Sequence, residues 1–236
     1  MKTERTSILG GGAEIGAYLA LPDGDGPWPA IMVVHEIWGL VPHIEEVARR
    51  FAGAGYAALA PDVYSRSGMP EGFEDIGRAL AWVQARDRGR DVADLRVVLD
   101  WLASQPFVGA RRVFALGFCM GGGLTARLAS SGADLAGCVI FYGEDPPSDE
   151  IAKIRCPVLG LYGAEDHRIT DGVPDLARAM AEAGKRFDYH VYDGAAHAFF
   201  NDTRETYRPR AAADAWNRVL RFLGEASSAE LDAADG

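Results

Sequence analysis

Short apolar runs rich in β-branched residues recur along the chain, and each ends at turn residues or a charge. They are AIMVVHE (30–36), YAALAPDV (56–63), RVFALGFC (112–119), LAGCVIFYG (135–143), CPVLGLYG (156–163) and FDYHVYDG (187–194). Their centres lack polar alternation, the pattern of strands covered on both faces. AEIGAYLALP (13–22) alternates more and predicts an antiparallel edge strand. Between the runs the period changes. Ile44, Val47, Ala48 and Phe51 fall on one face of a helix over 43–55, with Gly53 and Gly55 as stops. Amphipathic segments over 74–87, 91–104, 122–132, 173–184 and 208–226 predict the other helices. Strand alternating with helix predicts an α/β fold, a mostly parallel central sheet with helices on both faces. No repeat or linker interrupts it, so one domain is expected over 1–224. The small, acidic stretch 225–236 is expected to be a frayed tail.

Composition narrows the partners. The net charge of −10 argues against nucleic acid and anionic membranes, which reward clustered Lys and Arg. The cysteines, Cys119, Cys138 and Cys156, are odd in number and form no CxxC, so a disulfide framework is not expected and a reducing cytoplasm is. The opening MKTERTSILGGG lacks the apolar core of a secretory signal, and no run approaches a membrane span.

The chemistry centres on GFCMGG (117–122). Cys119 ends a strand and opens a helix, with Gly117 two before it and Gly121 two after. That is the spacing of a nucleophile elbow, with a thiol in place of the usual hydroxyl. The Met120 N–H at the helix start is a candidate oxyanion donor, and the helix dipole favours a thiolate there. Cys138 and Cys156, inside strand runs, read as packing residues. A thiol nucleophile needs a base, and the base an orienting acid. Downstream carboxylates include Glu144, Asp145, Glu165, Asp166, Asp171 and Asp175; the histidines are His167, His190 and His197. Asp166 in LYGAEDHRI and His197 in YDGAAHAFF each follow a strand directly, at the sheet edge where α/β proteins bind ligands. His190 lies mid-strand and His167 stands beside Asp166, so Asp166 and His197 are preferred, although Asp166 alone would also suit a helix cap. HEIWGL (35–40) brings Glu36 to the same edge, with Ile37 N–H as the candidate second oxyanion donor. No HExxH helix is present, so no metal is expected. GGGAEIG (10–16) is not a dinucleotide loop, since no strand is read before it and no helix after.

HEIWGL, APDVYSR, GFCMGG, GAEDH and HAFFN together resemble the dienelactone hydrolase (carboxymethylenebutenolidase) family of α/β-hydrolases, in family order over about residues 13–223. The resemblance implies an α/β-hydrolase fold and no cofactor. It implies a triad of Cys119, Asp166 and His197, with Ile37 and Met120 as oxyanion donors. It makes Glu36 the extra carboxylate that holds the resting thiol and takes its proton when substrate binds. A thiolate made only on binding escapes oxidation. A thiolate also leaves more readily than an alkoxide. Turnover therefore favours substrates with good leaving groups, and an enol lactone or activated ester hydrolysed through a thioester is expected.

Family members that open dienelactone hold its carboxylate with arginines. Here Asn201 stands four residues after His197 where one such arginine lies, and Arg66 and Arg78 are the candidates for the other. Tyr64, Trp38 and Trp82 are candidate pocket residues, or core. The expected partner is a small-molecule ester or lactone, and the chain a monomer or homodimer. A broad carboxylesterase or acyl-transfer role, and a non-catalytic binding module with a vestigial site, are the alternatives.

Overall fold

The computed structural model describes residues 1–73, 75–109 and 113–234, with side chains through residue 228. Eight strands and seven helices alternate in it. By its internal contacts the chain gathers into two compact units, Met1–Val113 and Phe114–Gly236.

In the first unit, β1 (Lys2–Gly10) and β2 (Ala13–Leu21) form an antiparallel hairpin in which Gly10 faces Ala13. The two-residue turn places Gly11 at φ 58° and Gly12 at φ 77°, a left-handed pair that a hairpin of this twist requires and glycine adopts without strain. A strand does therefore precede GGGAEIG, contrary to the sequence reading. The segment after the turn is a second strand and not a helix. The antiparallel expectation for 13–22 holds, but β2 is not the edge. It lies between β1 and β4 (Ala57–Pro61), and β3 (Ala30–Val34) pairs with β4 in parallel. Every residue of β3 and β4 is buried, so both faces are covered. Helix α1 (Pro42–Gly53) starts with Pro42, buries Ile44, Val47, Ala48 and Phe51, and is followed by Gly55 at φ 95°. Asp75 and Asp87 cap α2 (Ile76–Gln84) and α3 (Arg88–Ala103) by accepting from the Arg78 and Arg90 amides at 2.8 and 3.1 Å.

In the second unit, β5 (Val113–Phe118), β6 (Leu135–Phe141), β7 (Val158–Gly163) and β8 (Phe187–Tyr192) follow one another across the sheet. The β6–β7 and β7–β8 pairs are parallel. Such pairs need crossovers, which α4 (Met120–Ser130), a 3₁₀ turn (Ser148–Lys153), α5 (His167–Thr170) and α6 (Val173–Glu182) supply. Strands β5, β6 and β7 are wholly buried. β8 ends the sheet and leaves Asp188 and Tyr189 exposed, so its uniform apolar reading holds only in part.

Helix α7 (Pro209–Ala234) runs eight residues beyond the predicted end at 226. The described part of the expected frayed tail, 225–234, is thus helical. Ala226 is buried, and Ser227 and Ser228 return their hydroxyls to the Leu223 and Gly224 carbonyls at 2.9 and 3.0 Å. No helix among the described residues is long and apolar enough to cross a membrane.

Candidate active site

The turn from β5 into α4 holds Cys119 at φ 54°, ψ −118°. Few residues other than glycine adopt this backbone, and it persists only where neighbours over-determine it. The neighbours here are glycines and backbone. A Cβ on Gly117 would overlap the Gly121 carbonyl and come to 2.5 Å from Thr125 Oγ1. One on Gly122 would meet the Phe141 carbonyl oxygen at 2.9 Å. The Cys119 amide donates to that Phe141 oxygen at 3.0 Å, and its carbonyl accepts the first helical bond from Gly123 N–H at 3.1 Å. Cys119 is half-buried, while Cys138 and Cys156 are buried, as their strand positions predict. Met120 is the first helical residue.

His197 follows β8, in a loop anchored by the next aromatic pair. Phe199 and Phe200 are buried. Phe200 stacks on Phe118 at 5.4 Å and meets Phe141 at 4.8 Å, and Phe199 packs on Tyr192 at 5.0 Å. Each ring contributes roughly 1.5–3 kcal/mol on burial, so HAFF fixes the histidine by sinking the two rings just past it. Ala198, at φ 61°, makes the bend. Asp166 is drawn to the same place because the two loops are joined: Glu165 N–H donates to the Ala195 carbonyl at 2.9 Å. A Cβ on Gly163 would collide with that carbonyl. Asp166 occupies the N-cap position of α5, yet its side chain makes no capping bond. The buried carboxylate instead lies 2.5 Å from His197 Nδ1.

Burial works against a charged His197. The hydrogen bonds to Asp166 and Cys119 outweigh it and raise the histidine from 6.5 to about 10. Its folded value exceeds its unfolded one, so the pair contributes stability that is complete below about pH 6.5 and is lost as pH rises through about 10. Asp166→Asn removes the negative charge that faces the imidazolium and is expected to flatten this alkaline fall. Urea titrations of both proteins at pH 6, 8 and 10 check it, with the difference between them isolating the pair.

Tyr142 was not singled out from sequence. It ends β6 at φ 38°, with its ring edge-on to His197 at 5.0 Å. Its signal is an aromatic residue before Gly143 at the end of a core strand. His167 is exposed beside Asp171, and His190 packs on Tyr192, where burial lowers its pKa.

The first unit holds the HEIWGL loop. Glu36 and Ile37 are buried, and the half-buried Trp38 meets Phe73 edge-on at 6.2 Å. Tyr64 is buried and donates its hydroxyl to the Ile37 carbonyl at 2.8 Å, so it braces this loop rather than lining a pocket. Trp82 packs on Tyr64 and Phe73 at 4.8 and 5.4 Å, under the Arg86 guanidinium. The candidate clamp residues are engaged elsewhere. Arg66 forms a two-pronged pair with Asp94, at 2.5 and 2.7 Å, and also donates to the Gly11 carbonyl. Arg78 is exposed on α2, with its guanidinium over Gly72. Asn201 is buried, and its Oδ1 accepts from the Thr203 amide and hydroxyl at 3.0 and 2.6 Å.

A strained cysteine between strand and helix, followed in chain order by an aspartate-bound histidine, belongs to the α/β-hydrolase class of folds. The sequence profile of the dienelactone hydrolase family matches residues 15–227, and the chain belongs to that family of carboxylic ester hydrolases. It is 39% identical to a relative from Saccharolobus solfataricus, over 92% of this chain and 96% of that one. It is 36% identical to one from Escherichia coli K12, over 92% and 85%. Both bear the provisional name carboxymethylenebutenolidase. The crystal structure of a provisionally assigned dienelactone hydrolase from Klebsiella pneumoniae superposes with a TM-score of 0.88, at 35% identity over 94% of this chain and 98% of that one.

Proposed function

We propose that the protein hydrolyses an activated ester or enol lactone through a thioester on Cys119. The carrying observation is the Cys119 backbone at φ 54°, together with a His197 that is bound to Asp166 and whose pKa Cys119 helps to raise. Glu36, buried and so not a solvated spectator, takes the thiol proton as substrate binds. The thiolate attacks the carbonyl carbon, and the Ile37 and Met120 amides hold the oxyanion. Collapse breaks the bond to the leaving oxygen, which takes a proton from His197 and departs as enol or alcohol. His197, now neutral, removes a proton from water. Attack of that water on the thioester breaks the C–S bond and releases the acid, and Glu36 returns its proton to the sulfur to restore the thiol.

The engaged side chains of Arg66 and Asn201 favour a neutral substrate over a carboxylated lactone, and so a broad esterase role within the same chemistry. The test compares dienelactone with a neutral aryl ester, in reductant, using wild type and Cys119→Ala. Cys119-dependent turnover with the neutral ester preferred is the expected result. Preference for dienelactone would require a carboxylate-binding group other than Arg66, and absence of turnover on both would favour a vestigial site.

A further inference from the structure

We propose that His35 is a positioning residue that aims the Ile37 amide, an inference that rests on the oxyanion role assigned to that amide above. His35 follows β3 and is fully buried. Its two ring nitrogens have different tasks. Nε2 accepts from the Val63 N–H at 3.0 Å. A backbone amide can only donate, so this nitrogen carries no proton and Nδ1 carries it. Nδ1–H then donates to the Glu36 carbonyl at 2.6 Å. Asp62 Oδ1 lies farther from Nε2, at 3.6 Å, than the Val63 amide does.

Tyr64 completes the brace. Its ring meets His35 edge-on at 4.9 Å while its hydroxyl holds the Ile37 carbonyl. Gly39 N–H adds a 3.3 Å bond to the Glu36 oxygen. Both carbonyls that bracket Ile37 are therefore fixed by buried side chains. The Glu36–Ile37 peptide is trans, and in a trans peptide C=O and N–H point in opposite directions. A Glu36 carbonyl drawn toward His35 turns the Ile37 N–H the other way. Such a donor is effective only when aimed before charge develops, because preorganisation is the source of its effect. A histidine that merely filled volume would need neither the fixed tautomer nor the bond to Glu36.

Two substitutions separate the nitrogens. His35→Asn keeps an N–H close to the Nδ1 position, while His35→Gln carries its amide toward the Nε2 position. With a neutral aryl ester, His35→Gln is expected to lower kcat about 10–100-fold with KM little changed, the signature of a contact made only in the transition state. His35→Asn is expected to recover most of that loss. Wild-type kcat in His35→Gln, or no recovery in His35→Asn, overturns the proposal. Should either variant not fold, Tyr64→Phe keeps the ring and removes only the hydroxyl. A several-fold fall in kcat at constant KM is expected, and an unchanged kcat overturns the proposal. Cys119→Ala runs alongside. Turnover in that variant would sink the reading of the site, whereas an inactive Cys119→Ala beside a fully active His35→Gln would sink the positioning role alone.

Discussion

Cys119→Ala will lower kcat on a neutral aryl ester or an enol lactone by about 10³-fold or more, and Cys119→Ser will come close to it. On the proposed mechanism the alanine variant lacks the atom that forms the acyl bond. Losses of this order accompany removal of a nucleophile, with the rest of the site leaving a small residual rate. The serine effect is less obvious, since serine is the usual residue at such a turn. A serine hydroxyl needs a neutral histidine to take its proton. His197 is raised by the Asp166 carboxylate, which the serine variant keeps, and its proton stands in the way. A thiol is intrinsically more acidic and more nucleophilic than an alcohol and needs far less help. The serine variant's pH–rate profile is therefore decisive. Its rate is expected to climb with rising pH as His197 loses its proton, which the Asp166 bond still holds against release. A serine variant that matches wild type at pH 7 would contradict both the imidazolium and the thioester.

Gly117→Ala will cost more than about 3 kcal/mol, enough to leave little folded protein. Overpacking commonly costs about 1–3 kcal/mol when side chains can move aside. Here the new methyl group would overlap the Gly121 carbonyl, which belongs to the first turn of α4 and has nowhere to go. Relief would require α4 to lift away from β5 and carry Cys119 with it. Gly224 is the contrast: it lies inside α7 with nothing within 4 Å of an added methyl and no left-handed φ. Gly224→Ala is expected to stabilise by about 0.5–1 kcal/mol through helix propensity alone. Urea denaturation of the two variants beside wild type gives both values. Equal stabilities would show that the turn tolerates a side chain at 117.

Much of this was readable from local pattern. Wholly buried strands appear as unbroken apolar runs, and the helices as three-to-four spacing, because burial acts on successive residues of one element. The elbow was readable because a strained turn needs glycine at fixed offsets from Cys119. Asp166 and His197 were readable because loops after strands share one edge. The misses depend on partners distant in sequence. β1 is made of KTERTSILG, in which Ile8 is the buried residue, and it exists as a strand through pairing with β2. Arg66 and Asp94 lie 28 positions apart, so nothing local marks that arginine as taken. His35 carries no local signal in HEIWGL. Its role depends on Val63 and Tyr64, which the fold alone brings near.

The charged character of β1 bears on how the molecule behaves in a crowded solution. β1 pairs with β2 alone and ends the strand order, so it borders the sheet. A bare border invites a stranger's strand to extend it. Any such visitor would have to strip water from Lys2, Glu4 and Arg5, which stand along it, exposed, with Lys2 and Glu4 paired to each other and Arg5 to Glu45. The residues that hid this strand from a hydrophobic pattern are the ones that keep the sheet from growing into its neighbours.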